Sequence, residues 1–407
     1  ESQPTLMTPG SLAPPSTSPY VATKKRSSDS SASTQSRAGK TLEGKAGVKA
    51  KRAATAAHYR GQASFVPLPA TLSRPSDKST GFTGPQAPTS PAETPLVPEE
   101  ARPYLNIQQR REAKRIKEEH GLADYTYIPR TGLGGKVTGL TDSCGHLFAL
   151  REEAPEWVLK GGRNGNVLQK VEKLVNDFTS DGKNEGRNLL RGQHLGSKAG
   201  VFREMGAPVR IPMYNKYYKS RKEEWDGLLA KPVFQRLHGR MEGVFNGYFR
   251  DMSLSYKRLE KALKDDLDLR FLGGPFASLC LNTGDNVATR RHRDALNLLL
   301  GLCCIFVNGT FDSRVGGHLV LEEAKVIIEL GAGDLCFIPS GMFTHWNIPI
   351  GKGGRRNSIA YWTSGNVFLW EELAGKPKSQ LSLDELAEWE GRKREVWALL
   401  LSHFPLV

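Results

Sequence analysis

A chain of 407 residues is longer than one ordinary domain needs, yet its 38% hydrophobic and 8% aromatic content is low for a chain that is globular throughout. The formal net charge of +14 fits a polyanionic partner, most commonly nucleic acid, although a solvated basic tail would give the same composition. No run of roughly eighteen apolar residues offers a helical membrane span. None of the five cysteines (Cys144, Cys280, Cys303, Cys304 and Cys336) forms the C-x-x-C pair of a zinc knuckle.

The odd cysteine count and the apolar setting of four of the five are expected of reduced, buried thiols in a cytoplasmic or nuclear protein, and nuclear placement is the expectation adopted. The opening Glu1-Ser2-Gln3-Pro4 has no secretory character, and its lack of Met is expected of a fragment.

Residues 1–100 hold thirteen of the twenty-four prolines and none of the seven tryptophans. Rich in Ser, Thr, Ala and Lys and without a sustained period, they are expected to form a disordered tail. Within it, Lys24-Lys25-Arg26 and Lys49-Ala50-Lys51-Arg52 read equally as nuclear-localisation clusters or phosphate tethers.

Residues 101–270 are expected to be a mostly helical accessory region. The charged run 108–120, closed by Gly121, is helix-forming, and so are 155–159, 234–248 and 253–267. In 169–178, Val171, Leu174, Val175 and Phe178 share one helical face. Over 271–375 the pattern changes to short apolar runs cut by Gly, Asn and Asp. Strands are expected at 276–281, 296–307, 318–321, 326–330, 334–338, 358–362 and 367–370, which points to a jelly roll. A last helix, 383–401 within the segment 376–407, would pack on this core. The fold class is therefore α+β: a double-stranded β-helix flanked by helices.

One H-x-D occurs, His292-Arg293-Asp294. Chance alone supplies on the order of 0.4 such triplets in a chain of this make-up, so the triplet by itself decides nothing. On a strand, however, positions i and i+2 face the same way, and both side chains can meet one ion. Downstream, Gly331-Ala332-Gly333-Asp334 makes a turn into the apolar run Leu335 to Ile338, and His345 follows. Two His and one carboxylate on one face of an ion leave the opposite positions open, as in non-haem Fe(II) oxygenases. Arg356 and Ser358, two apart on a strand, suit a terminal carboxylate, the guanidinium by a two-pronged charged hydrogen bond. An ion with open positions and a carboxylate clamp is what 2-oxoglutarate and O2 require. Taken singly, His345 could be a core histidine and Arg356 a surface charge in the basic run 352–356. His318, in Gly316-Gly317-His318, is left out of the metal site, its glycines being read as a bend in a strand.

His292-Arg293-Asp294-Ala295-Leu296-Asn297, Gly316-Gly317-His318-Leu319, Gly333-Asp334, His345 and Arg356-x-Ser358 together resemble the TET/JBP dioxygenases, the ten-eleven-translocation methylcytosine oxidases and base-J thymine hydroxylases, and most of all their fungal branch. The resemblance spans roughly residues 275–370. It implies that His292, Asp294 and His345 hold Fe(II) and that Arg356 and Ser358 hold 2-oxoglutarate. It further implies that Asn297 touches a flipped base and that Trp362 stacks on it. Ser364 stands where the family often has a base-contacting His, and the Cys-rich zinc region of animal members is absent. For the second 2-oxoglutarate carboxylate the candidates are Asn282, Arg290 and Arg291. Backbone phosphates are expected at Arg210, Lys216, Lys219, Arg221 and Lys222, basic residues interleaved with Tyr217 and Tyr218.

The expected activity is Fe(II)- and 2-oxoglutarate-dependent oxidation of 5-methylcytosine in DNA through hydroxymethyl to formyl and carboxyl forms. Two alternatives stay open: an N-methyl nucleobase demethylase acting, for example, on N6-methyladenine, and a non-catalytic nucleic-acid-binding jelly roll.

Overall fold

The computed structural model describes residues 61, 63–72, 103–161, 165–180, 191–203, 211–376 and 380–407, with the side chains of 393–397 excepted. In chain order the elements are β1 (Ala63–Pro67), α1 (Ile107–His120), β2 (Thr126–Ile128), β3 (Val137–Thr141), β4 (Leu147–Glu152), α2 (Glu156–Leu159) and α3 (Val167–Thr179). Then come β5 (Leu195–Arg203), β6 (Pro212–Tyr214), α4 (Lys216–Ser220), α5 (Lys222–Leu229), α6 (Pro232–Tyr248) and α7 (Arg250–Leu267). Last are β7 (Ser278–Thr283), β8 (Cys303–Thr310), β9 (Leu319–Leu321), β10 (Val326–Ile328), β11 (Leu335–Ile338), β12 (His345–Asn347), β13 (Arg355–Trp362), α8 (Gly365–Glu372) and α9 (Leu383–Ser402).

The strands form two sheets. The larger runs β1-β3-β4-β11-β8-β13-β7-β5-β6, and the smaller runs β12-β9-β10-β2. From β7 onward the chain passes between them. It leaves β7 in the large sheet, touches the small one where His292 pairs with His345, and returns as β8. It then forms β9 and β10 in the small sheet, β11 in the large, β12 in the small and β13 in the large. A four-stranded antiparallel unit, β11-β8-β13-β7, thus faces a second sheet in an alternating winding, which is a double-stranded β-helix.

Local chemistry explains this closure. Gly309 in β8 lies opposite Arg356 in β13, at φ +124°, and a Cβ there would come within 2.1 Å of the Arg355 carbonyl. Only glycine lets β13 approach so closely. Helix α1 opens on a reciprocal cap between Asn106 and Gln109 and closes on left-handed Gly121. Its Ala113 and Ile116 cover the small sheet at Val320, Ile327 and Ile348. On the large sheet, α6 places Phe245 against Phe276 and Phe337, with ring centroids 5.3 and 6.0 Å away. At the far end, Leu400 and Phe404 join the main core, and Leu147 N–H donates to Pro405 O at 2.8 Å.

Several expectations need correction. Residues 63–72, assigned to the tail, contain β1, which pairs in parallel with β3 and buries Val66, Leu68, Ala70 and Leu72. Beside its helices, the region expected to be mostly helical also contains five strands, β2 to β6. Of these, β3-β4 and β5-β6 extend the large sheet on either side, and β2 ends the small one. The expected strand at 367–370 is helix α8, because Ser364 caps it, its Oγ accepting from Asn366 N–H. The first part of the expected strand 296–307 is a turn, and β8 starts at Cys303. The basic clusters at 24–26 and 49–52 lie outside the described residues.

Asp334, read from the turn motif, is a structural clamp. Arg130 grips it with two hydrogen bonds of 2.9 and 3.0 Å, and the N–H groups of Ala154 and Gly331 donate to it at 2.9 and 2.8 Å. Replacing Asp334 by Ala strands these donors and is expected to cost about 3–5 kcal/mol, read as a fall in the urea midpoint.

His238 is packed edge-on against Tyr361, with centroids 5.6 Å apart, and burial lowers its pKa from 6.5 to about 4. As pH falls through 6.5, the unfolded chain takes up a proton that the folded chain refuses. Stability therefore declines down to about pH 4. His238→Phe is expected to flatten that part of the profile, measured by urea unfolding at about pH 7 and about pH 5.

Candidate metal and cosubstrate site

The three sequence-predicted ligands converge. His345 opens β12, and the segment carrying His292 and Asp294 is strapped beside it. His292 N–H donates to His345 O at 3.1 Å, His345 N–H returns to His292 O at 2.8 Å, and Asp294 N–H donates to Ser340 O at 3.0 Å. The H-x-D therefore sits on a single ladder pair within a loop, not on the strand expected for it. The imidazole centroids are 4.3 Å apart, and each Nε2 lies 3.9 Å from one oxygen of Asp294. One donor atom from each residue falls within 4.8 Å of the others.

Protonation follows from the hydrogen bonds. His292 Nδ1 lies 2.7 Å from Arg290 O and His345 Nδ1 lies 2.9 Å from Phe343 O. A carbonyl can only accept, so both Nδ1 atoms carry the proton and both Nε2 lone pairs face the centre. Burial, reinforced by His345, lowers the pKa of His292 to about 4 and keeps its ring neutral. Burial would raise the pKa of Asp294, but the Arg191 guanidinium and the two imidazoles outweigh it and hold the carboxyl below its ordinary value. Two imidazoles and one carboxylate on a single face are the donor set that suits Fe(II).

Arg356 and Ser358 lie two apart on β13, both buried. Arg356 Nη1 donates to Val287 O, whereas its buried Nε and Nη2 have no hydrogen-bond partner among the described residues. Burial pushes its pKa down to about 10, so it still carries its charge at neutral pH. A buried cation with two unused donors and no carboxylate beside it is ready for an anion. Asn282 stands opposite Ser358 in the β7–β13 register, its Nδ2 donating to Ser358 Oγ at 3.4 Å. Fold, donor set and guanidinium together match what Fe(II), 2-oxoglutarate and O2 require of a site.

The remaining sequence-predicted residues are placed as follows. The Asn297 amide already donates to Asp294 Oδ2 at 3.3 Å and to Ser340 Oγ at 2.9 Å, so its nitrogen steadies the Asp294 carboxylate. Trp362 is half-buried at the end of β13, edge-on to Phe202 at 5.9 Å. Arg290 and Arg291 are exposed beside His292, Arg291 stacking on Trp346 at 4.4 Å. His318 is buried outside the triad, its Nε2 3.2 Å from the Tyr127 phenol oxygen, and Gly316, ahead of β9, runs tight against Pro349 O.

The expected phosphate-binding segment is partly spent on itself. Arg221 pairs with Glu224 and lies over the Phe178 ring at 4.2 Å, and Lys222 pairs with Asp226 at 2.6 Å. Lys216 and Lys219 stay exposed, while Arg210 lies outside the described residues. The segment is also not a loop, being built from β6, α4 and α5.

Sequence reasoning missed Arg191, whose Nη2 lies 2.8 Å from Asp294 Oδ1, and buried His194, which is hydrogen-bonded to Asn282. Both precede β5, far upstream of the H-x-D, and no local pattern marks them. A second group of potential metal donors, Asp142, Cys144 and His146, sits in the β3–β4 turn. Its carboxylate already accepts the N–H groups of Cys144 and His146 and the His146 ring, which closes the turn without an ion.

No protein-family model and no curated protein matches this chain. Among solved structures, it is similar to NgTET1 in complex with 5mC DNA, at 14% identity over 64% of this chain and 90% of that one, with a TM-score of 0.42. It is also similar to a 2OG-Fe(II) oxygenase family oxidoreductase from Burkholderia pseudomallei (13% identity, 53% and 85% coverage, TM-score 0.29). A Pseudomonas putida prolyl-4-hydroxylase matches at 15% identity with 48% and 85% coverage and a TM-score of 0.26.

Asn297→Ala removes the amide that steadies Asp294. It is expected to weaken divalent-metal affinity by about 10–100-fold, measured by Co(II) absorption titration of the iron-free protein.

Proposed function

We propose that this chain is an Fe(II)- and 2-oxoglutarate-dependent dioxygenase that oxidises the methyl group of a flipped base in DNA, with 5-methylcytosine as the substrate. The observation that carries the reading is Arg356, a buried guanidinium with two unused donors, on a β-helix that also gathers two imidazoles and a carboxylate. Bound Fe(II) would supply the reaction of O2 with 2-oxoglutarate and a substrate C–H bond, in which one oxygen atom goes to succinate, with release of CO2, and the other to C–OH.

The chain's own residues then have separate tasks. His292, Asp294 and His345 hold the ion on one side, while Asn297 and Arg191 keep the carboxylate aimed. Arg356 takes the distal carboxylate of 2-oxoglutarate by two N–H groups, and Ser358, oriented by Asn282, adds a hydroxyl. Burial of these groups keeps bulk water from competing for them.

Several features support nucleic acid as the substrate. The formal charge is +14, and Arg290 and Arg291 are exposed beside His292, Arg291 in a loose 3.4 Å pair with Glu322. Such cations neutralise phosphates and steer a duplex to the site. A methyl group inside a duplex cannot reach a recessed ion, so the base must leave the stack, at a cost of a few kcal/mol. Trp362 offers a face for it to stack on. Nuclear placement belongs to the same proposal.

The test is nucleoside mass spectrometry after incubating methylated duplex DNA with enzyme, iron, 2-oxoglutarate and ascorbate. Hydroxymethyl-, formyl- and carboxylcytosine are expected from the wild type. His292→Ala and Asp294→Ala should reduce both these products and succinate to background while the circular dichroism stays native. Unchanged turnover in either variant would refute the metal assignment. Loss of methyl from N6-methyladenine, with 5-methylcytosine untouched, would replace the substrate with an N-methylated base.

A further inference from the structure

We propose that Leu296 is an apolar wedge that enters the DNA base stack when the target base is flipped out. This inference rests on the DNA reading above and names the residue that separates the bases.

Leu296 lies two residues beyond Asp294 and is 47% exposed, whereas Leu298, Leu299 and Leu300 immediately after it are buried. A solitary surface leucine ordinarily needs no explanation. Here its exposure is enforced by the backbone. Leu296 O accepts from Gly365 N–H at 2.9 Å and from Ser364 Oγ at 3.1 Å. Asn297 N–H donates to Asp294 O at 2.9 Å, and Leu298 N–H to Thr363 O at 3.2 Å. Asn297 and Ser364 form a ladder pair. Bonds on both sides of Leu296 thus fix its main chain to the cap of α8 and to the backbone carbonyl of Asp294, and the side chain is left half in water.

The surroundings give the tip its partner. Upstream of it in the chain are Arg290, Arg291 and Arg293, the first two exposed and the third half-buried, with Arg291 and Arg293 also paired to Glu322 and Glu323 at 3.4 and 3.1 Å. An apolar point among cations is poorly suited to an apolar protein groove but suits nucleic acid, where phosphates meet the arginines and a base step receives the apolar group. Proteins that unstack DNA commonly insert Leu, Ile, Met or Phe in this way. A rigid mount matters because a wedge on a loose loop would yield before the stack did. Thr363 and Ser364, which hold the Leu296 loop, directly follow Trp362, so wedge and stacking face are tethered to one strand end.

The experiment uses the full chain without iron and a duplex carrying 2-aminopurine next to the 5-methylcytosine. Emission rises when that neighbour loses its stacking partner. The wild type is expected to raise it. Leu296→Ala should cut the rise about tenfold, whereas Leu296→Met, still apolar and long, should keep it. In the iron-loaded enzyme, the ratio of oxidation rates on matched duplex to a duplex mismatched at the target should fall about tenfold in Leu296→Ala, since a mismatch is already partly unstacked. An equal emission rise in wild type and Leu296→Ala, or an unchanged rate ratio, overturns the wedge and leaves the DNA reading standing. If the wild type neither raises emission nor oxidises any DNA, the DNA reading falls and the wedge with it.

Discussion

The reciprocal backbone pairing of His292 with His345 is the constraint on which the site depends. These residues are distant in the chain, and nothing local brings their rings together. Two hydrogen bonds across a one-pair ladder set the imidazoles 4.3 Å apart and leave Asp294 to close the third corner. The same stretch is tied to β13, where Val287 N–H donates to Arg356 O and Arg356 N–H to Asp285 O, each at 3.0 Å. One strap therefore registers the His292–Asp294–His345 cluster and the buried Arg356 against each other. Gly309 is what lets that strand lie close enough, because any side chain there would strike the Arg355 carbonyl.

The electrostatics follow from that packing. Burying a guanidinium with two unused N–H groups is costly, and the fold must offset it elsewhere. Asp334 shows the opposite arrangement a short distance along the chain: an equally buried charge with every acceptor position used by Arg130 and backbone N–H groups. The contrast separates a charge that holds the fold together from one kept ready for a ligand. The two imidazoles, with their Nδ1 atoms fixed on carbonyls, belong to the second kind, since that leaves each Nε2 for the centre.

Much of this was legible in the sequence where spacing carries geometry. The Arg-x-Ser pair could be assigned because residues two apart on a strand share a face, while the H-x-D and the later His were marked by residue type and order, the H-x-D lying in a loop and not on the expected strand. Arg191 could not, since a contact across so many residues leaves no local trace. Asn297 was legible as a polar residue near the metal, but its donors are used by Asp294 and Ser340, which depends on a turn that hydrophobic pattern does not specify. The run 367–370 is apolar on every side, and such a run fits a buried helix as well as a strand. In 66–72, alternate residues are buried, a period-2 signal hidden inside a Pro- and Ser-rich composition. The basic stretch 216–222 misled for a different reason, because Glu224 and Asp226, just downstream, return to pair with it.

The most direct test of the central claim is anaerobic calorimetric titration, first of Fe(II) and then of 2-oxoglutarate, into the wild-type chain, His345→Ala and Arg356→Met. One ion per chain is expected in the wild type and in Arg356→Met, and none held tightly in His345→Ala. 2-Oxoglutarate should bind only to the metal-loaded wild type, with its heat largely lost in Arg356→Met. Full iron binding by His345→Ala, or undiminished 2-oxoglutarate binding by Arg356→Met, would contradict the account.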